Sequence, residues 1–203
     1  GAAISKNGLF VAGLTTVENN RITIQDLGDP LGTSETYFLY NPTYSQTPQT
    51  TGEVRYADVL EFDYSGEFLM YDAFNELSNG QGEDLSYWDI GFVNFWKDGA
   101  FTDGATAFIS KLFSGLPTKS SVGNPTFAKN APYVIAFDFI DGIDDRYDIL
   151  GANTQTGDVD NIFYNNGELG WPSYTRLDNA VIYNGTNVNG RSIYKSSVAA
   201  NRI

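Results

Sequence analysis

The chain has 203 residues, of which 41% are hydrophobic and 15% aromatic, which is enough apolar material for one packed domain. It carries 12 lysines and arginines against 25 acidic residues, so a basic surface for nucleic acids or anionic membranes is not expected. The absence of cysteine and histidine excludes disulfides, cysteine–histidine zinc sites, cysteine nucleophiles and Ser-His-Asp triads. No apolar run approaches the ~20 residues that span a bilayer.

A diverged repeat organises the chain into four segments, each with an apolar start, a polar turn and a second short apolar strand. Asn7-Gly8 and Ser65-Gly66 suit the positive φ of tight turns, and Asn179 can adopt the same region. Ala131-Pro132 cannot, so the third turn must have another geometry. The predicted hairpins are Ile4–Gly13, Phe62–Tyr71, Phe127–Phe137 and Tyr174–Tyr183.

Two further strands are predicted after each hairpin, so that each repeat is a four-stranded antiparallel meander. The third strands are Arg21–Ile24, Tyr87–Ile90, Tyr147–Leu150 and Ser192–Lys195. The fourth strands are Thr36–Tyr40, Ala107–Phe113, Asn161–Tyr164 and, in the last repeat, the segment Val198–Ile203. The repeats cover roughly 2–50, 51–121, 122–168 and 169–203 of a single domain. Because a lone meander cannot bury both of its apolar faces, we expect the four units to stack around an axis.

Three motifs connect these repeats to a known family. Pro125-Thr126-Phe127 is followed by Ile135-Ala136-Phe137, and Trp171-Pro172-Ser173-Tyr174 by Val181-Ile182-Tyr183. The segment Asp141–Ile149 contains an acidic loop that leads into a third strand. With these residues the chain resembles the WD40-like (PD40, TolB-type) β-propeller family, although the family's central Pro-Asp-Gly turn is replaced in all four repeats.

The resemblance implies an all-β fold, a β-propeller of about four four-stranded antiparallel blades. The propellers of this family have six or seven blades, which is more than the four repeats predicted here. Three arrangements therefore remain open: a complete small ring, a fragment of a larger ring, or an arc that self-associates through open blade edges. We favour an incomplete ring, because no strand exchange that would close a ring is visible in the sequence.

Asp141, Asp144 and Asp145 are the candidate metal ligands. Oxygen ligands in a glycine-containing loop suit Ca²⁺, but their spacing differs from that of an EF-hand. A solvated turn is therefore the favoured alternative. Apart from calcium, no cofactor is expected.

Asp72, Asp138 and Asn184 are candidate ligand-binding residues, because each is predicted to follow the second strand of its repeat directly. At one rim of a ring they could bind a sugar, a cation or a basic peptide, although Asp and Asn also commonly end strands. Trp171 is a fourth candidate, with packing in the core or at the axis as the simpler expectation. No catalytic residue is identified.

The function that these features indicate is a non-catalytic binding or scaffold propeller of a bacterial envelope or secreted protein. Its blade loops would recognise a protein, a peptide or a glycan. The alternative is the propeller portion of a larger hydrolase or lyase whose catalytic residues lie outside this chain. Neither nucleic-acid binding nor membrane insertion is expected. We expect a periplasmic or extracellular location, with a leader that this sequence does not include.

Overall fold

The computed structural model describes residues 1–15, 20–40, 54–78, 84–104, 108–113, 116–117 and 119–198. Over those ranges the secondary structure consists of β-strands and turns alone. The chain divides into two compact units, Gly1–Thr118 and Lys119–Ile203. The assignment of the whole chain to a single domain stays a prediction.

The first unit contains two four-stranded antiparallel sheets and a two-stranded ribbon. One sheet runs in chain order and consists of β1 (Ala2–Ile4), β2 (Phe10–Leu14), β3 (Arg21–Asp26) and β4 (Ser34–Phe38). The other consists of β5 (Tyr56–Phe62), β6 (Phe68–Ser78), β7 (Asp84–Asn94) and, after the ribbon of β8 (Trp96–Lys97) and β9 (Ala100–Phe101), β10 (Phe108–Lys111). Its spatial order is β10-β7-β6-β5, so it is also a meander.

The second unit contains one four-stranded and one three-stranded antiparallel sheet among its described residues. The four-stranded sheet consists of β11 (Ser120–Phe127), β12 (Val134–Asp141), β13 (Arg146–Asn153) and β14 (Val159–Phe163). The three-stranded sheet consists of β15 (Ser173–Tyr174), β16 (Ala180–Asn187) and β17 (Gly190–Ser197). Both run in chain order, so the predicted meander topology is confirmed.

The four predicted hairpins are confirmed, and two of their turns differ in detail from expectation. Gly8 and Gly66 have positive φ values of 72° and 75°, as their turns require. In the third turn the positive φ of 67° falls on Tyr133, directly after the proline. In the fourth it falls on Asp178, with φ 56°, so the expectation for Asn179 was wrong. Asp tolerates the left-handed region for the same reason as Asn, namely its short polar side chain.

The predicted fourth strands are confirmed for the first three repeats by β4, β10 and β14, with shifted ends. Ala107, the first residue of one of them, lies outside the described residues. So does most of the predicted last strand, residues 199–203, of which Val198 alone is described. The Val198 amide donates to the Asn179 carbonyl.

Alternating side chains of the strands form the core of each unit. In the first unit Ile22 and Ile24 of β3 are fully buried, and the Tyr37 hydroxyl donates to the carbonyls of Phe95 and Thr102, at 3.1 Å each. The second unit has its own buried cluster, which consists of Ala128, Ala136, Ile149, Tyr174, Val181 and Tyr183.

A carboxylate joins the turns of the two hairpins in the second unit. Asp178, in the turn before β16, accepts hydrogen bonds from the backbone amides of Lys129 and Asn130, both at 2.6 Å. The Asn130 side-chain amide donates in return to the Arg176 carbonyl, at 2.6 Å. These bonds fix the turn before β12 against the turn before β16.

Candidate functional site

Asp72, Asp138 and Asn184 occupy corresponding positions in three sheets. Each lies opposite an isoleucine of the third strand: Ile90, Ile149 and Ile193 respectively. All three lie inside their strands, β6, β12 and β16, rather than after them, so the expectation that they end the strands was wrong.

Both aspartates are buried, and their carboxylates bind an irregular part of the neighbouring edge strand, β5 or β11. Asp72 accepts a hydrogen bond from the Val59 amide at 2.8 Å, where the register of β5 shifts. Asp138 accepts one from the Asn124 side-chain amide at 2.8 Å, where the register of β11 shifts. A bulge leaves backbone groups outside the ladder. Asp72 supplies a partner to one such group, the Val59 amide, whereas Asp138 binds a side chain of the irregular segment.

Asp138 also fixes the segment that leads into β15. Its two oxygens accept hydrogen bonds from the Gly170 amide at 2.8 Å and the Trp171 amide at 3.0 Å. Burial raises the pKa of the Asp138 carboxyl, and the hydrogen bonds from Asn124, Trp171 and Gly170 oppose that rise. The three donors together hold the carboxylate in one orientation.

Trp171 is exposed and has an unusual backbone conformation. Its φ is 46°, which is uncommon for a bulky residue, and 59% of its surface is accessible. The expectation that it packs in the core was therefore wrong. The sequence around Pro172 gives no local signal of this exposure, because the contact that holds Trp171 comes from Asp138, 33 residues earlier.

Trp171 and Asn184 are brought together at a cleft of about 400 Å³ in the second unit. This volume falls within the ~300–1,000 Å³ that is typical of small-ligand sites. The cleft is lined by Tyr147, Gly167, Glu168, Leu169, Trp171, Asn184 and Arg191. Asp138 lies behind it, bonded to the Trp171 amide. Asp72 belongs to the first unit and is not part of the cleft.

The walls of the cleft are joined by the buried side chain of Asn166. Its amide group donates to the carbonyls of Glu168, at 2.8 Å, and Asn184, at 2.7 Å. Its backbone amide donates to the Tyr147 carbonyl at 2.7 Å. One residue thus links three of the segments that line the cleft, and sequence analysis did not identify it.

Glu168 and Arg191 form the charged part of the cleft. The Arg191 Nε and Nη2 groups both lie 2.6 Å from Glu168 Oε2, and the Thr186 hydroxyl donates to Oε1 at 2.6 Å. The hydroxyl of Thr186 and the guanidinium of Arg191 lower the pKa of Glu168. The carboxylate is therefore ionised at neutral pH, and the two charges compensate each other.

Acidic residues at the end of β12 and after it are already paired with a positively charged side chain, that of Arg146. The Arg146 guanidinium lies 3.4 Å from Asp141, 3.6 Å from Asp144 and 3.1 Å from Asp148. Asp145 is exposed, with φ 49°. Among the described residues, no three acidic side chains are placed to hold a metal ion together. The calcium site stays a prediction, and the arrangement indicates that an ion would have to displace Arg146.

A buried ion pair in the first unit was also missed by sequence analysis. Lys111 Nζ of β10 lies 2.6 Å from Asp89 Oδ2 of β7, and both side chains are 5% exposed. Burial raises the pKa of Asp89, and Lys111 opposes the rise. The pair follows from the register of β10 against β7, which the sequence does not give.

Comparisons with known proteins bear on the fold. No family model matches the chain, and no curated protein matches it. A solved structure assigned as TolB from Agrobacterium tumefaciens is 11% identical and matches with a TM-score of 0.56 over 97% of this chain and 57% of that one. TolB from Acinetobacter baumannii is 14% identical, with a TM-score of 0.42 over 97% and 51%. An oligogalacturonate lyase in complex with manganese is 10% identical, with a TM-score of 0.47 over 98% and 65%.

The antiparallel meanders and the likeness to the A. tumefaciens structure define an all-β protein of the β-propeller class. The likeness bears out the β-propeller fold that the repeat motifs predicted. The chain spans about half the length of the two TolB structures that it matches, 57% and 51%. No helix in the described part of the chain is long and apolar enough to cross a membrane.

Proposed function

We propose that this chain is a binding propeller of a bacterial envelope or secreted protein, and that the cleft at Trp171 is its recognition site. It acts as a rigid, non-catalytic scaffold that recognises a protein, a peptide or a glycan. The observation that carries this proposal is a large aromatic side chain held exposed on a strained backbone beside polar groups.

The strain at Trp171 is the first argument. A non-glycine residue in a sparsely populated backbone region costs about 1–3 kcal/mol and persists only where its surroundings impose it. Asp138 imposes it here, through its hydrogen bonds to the amides of Gly170 and Trp171. Strain maintained in this way is concentrated at binding sites, because it orients a group before the ligand arrives.

The side chains around Trp171 are the second argument. Exposed tryptophan and arginine are enriched where proteins recognise ligands and partners, because each combines apolar surface with hydrogen-bond donors. The cleft contains both, together with Tyr147 and Asn184. Tyr147, Asn184 and Arg191 lie on strands, and Asp138 holds the backbone of Trp171, so little backbone ordering is needed when a ligand binds.

The test is a parallel screen of a glycan array and a peptide library with the wild type, Trp171→Ala and Tyr164→Ala. Tyr164 is a matched control, because it is also aromatic, is 57% exposed and does not line the cleft. We expect a ligand of the wild type to lose about tenfold or more in affinity with Trp171→Ala and to keep its affinity with Tyr164→Ala. The proposal is wrong if ligands bind Trp171→Ala as well as the wild type, or if neither screen yields a specific ligand.

A further inference from the structure

The cleft offers a flat apolar surface and hydrogen-bonding groups side by side. The indole of Trp171 provides the surface, and it is more than half exposed. Glu168, Asn184 and Arg191, which line the same cleft, provide acceptors and donors. A ligand that suits this cleft needs one apolar face and a polar rim.

The charges of the cleft point to an uncharged ligand. Glu168 is ionised but is paired through one oxygen with two nitrogens of Arg191, so this pair carries no net charge. The chain as a whole has a formal net charge of -13, which disfavours an anionic ligand. A cationic ligand would have to compete with Arg191 for the carboxylate.

The backbone of the cleft argues against a peptide that binds as an added strand. That mode needs an unpaired strand edge to supply hydrogen bonds. Here the Asn184 amide donates to the Gly170 carbonyl, and the Asn184 carbonyl accepts from the Asn166 side chain. The Thr186 amide donates to the Asn166 carbonyl. The backbone of β16 at the cleft is therefore already paired, so recognition at this strand depends on side chains.

We propose that the cleft binds an uncharged saccharide, with one face of a sugar ring stacked on Trp171 and its hydroxyls bonded to Arg191, Asn184 and Glu168. A pyranose ring has an apolar C–H face that suits the electron-rich face of an indole. Its hydroxyls donate and accept, so they match a cleft that contains both kinds of group. This assignment rests on the recognition site proposed above and names the class of its ligand.

The experiment uses defined oligosaccharides and isothermal titration calorimetry. Neutral hexasaccharides (cellohexaose, laminarihexaose, xylohexaose and maltohexaose) are titrated against the wild type, Trp171→Ala, Trp171→Phe and the control Tyr164→Ala. Hexagalacturonate and a chitosan hexamer serve as anionic and cationic comparators. We expect at least one neutral hexasaccharide to bind with a Kd of about 1 mM or lower, and each charged comparator to bind about tenfold more weakly.

The variants and the salt dependence separate stacking from unspecific effects. Trp171→Ala should weaken binding about tenfold or more, Trp171→Phe by about threefold because a smaller aromatic face remains, and Tyr164→Ala should leave it unchanged. Affinity should also stay constant between about 50 and 500 mM sodium chloride, because an uncharged ligand has no screened attraction.

Each contrary result has a distinct meaning. The saccharide assignment is overturned if no neutral hexasaccharide binds, or if binding does not depend on Trp171. If a peptide or protein from the earlier screen binds in a Trp171-dependent way while the saccharides do not, this assignment fails and the recognition site stands. If Trp171→Ala changes the affinity of no ligand at all, both proposals fail.

Discussion

Replacing Asp138 should remove the hydrogen bonds that hold both the irregular segment of β11 and the backbone of the exposed Trp171. Asp138 accepts hydrogen bonds from Gly170, Trp171 and Asn124 at 2.8, 3.0 and 2.8 Å. Each hydrogen bond to a charged group contributes about 1.5–3 kcal/mol, but bonds that share one acceptor group do not add fully. We therefore expect Asp138→Ala, which leaves three donors without their acceptor, to lower the free energy of unfolding by about 3–5 kcal/mol.

Since a domain is typically stable by about 5–15 kcal/mol, Asp138→Ala could fail to fold, and Asp138→Asn is the variant that keeps the prediction testable. Asparagine keeps the volume and one acceptor oxygen, but its NH₂ group must face a donor. At the position of Oδ1 it faces the Gly170 amide, and at the position of Oδ2 it faces both Asn124 and the Trp171 amide. The expected loss is about 1–3 kcal/mol. Urea unfolding followed by tryptophan fluorescence measures it, provided that the m-value is unchanged.

Asp160→Asn is the matched control, because this aspartate belongs to the same sheet and is exposed. It should change the free energy of unfolding by less than about 0.5 kcal/mol. The reasoning is refuted if Asp138→Asn and Asp138→Ala also stay within about 0.5 kcal/mol of the wild type. In a folded Asp138→Asn protein, ligands of the cleft should bind more weakly, because the Trp171 backbone is less firmly held.

Three further predictions concern charge and packing. In Lys111→Met, buried Asp89 loses its cationic partner, and its pKa rises further above the value in the unfolded chain. The free energy of unfolding of this variant should therefore fall as the pH increases above about pH 4, and the loss should reach about 3–5 kcal/mol at neutral pH. Urea titrations between about pH 4 and pH 8 test this by comparing Lys111→Met with the double variant that also has Asp89→Asn, which lacks the titrating carboxyl. The prediction is contradicted if the two variants show the same pH dependence. Gly91→Ala should lower the free energy of unfolding by about 1–3 kcal/mol, because its Cβ would lie 2.4 Å from Tyr71 Cζ. In a double-mutant cycle, Tyr71→Leu should recover part of this loss, whereas fully additive effects would show that the clash does not exist. Calcium should leave the Tm of the wild type unchanged and raise that of Arg146→Gln, because the arginine no longer neutralises its acidic neighbours. Calorimetry in which calcium raises the Tm of the wild type, or does not raise that of Arg146→Gln, would contradict this.

The hairpins could be predicted because their signals are local. Asn7-Gly8 and Ser65-Gly66 specify tight turns within a few residues, and the apolar runs on either side follow from strand propensity. The end of β6 could not be predicted by the same signals. Asp72 looks like the end of a strand, yet β6 continues to Ser78, because it stays paired with β7 throughout. The Asp72 carboxylate is accommodated by its bond to the Val59 amide.

The candidate site was predicted only in part. Trp171 and Asn184 were identified, and the structure places both in one cleft. Asn166, which ties the walls together, and the pairing of Glu168 with Arg191 were missed. These contacts join residues that are separated by about 20 positions, and they depend on the register of β16 and β17, which sequence patterns do not specify.

The link between Asp178 and the amides of Lys129 and Asn130 has an evolutionary consequence. Backbone amides are present whatever side chains occupy those two positions, provided that neither is proline. A mutation in the earlier turn can therefore remove the side-chain bonds of Asn130 and still keep the two amide bonds, as long as the carboxylate at 178 remains. The turns of these two hairpins can therefore diverge in sequence and stay joined, so the loss of the Pro-Asp-Gly signature from both of them leaves this link in place.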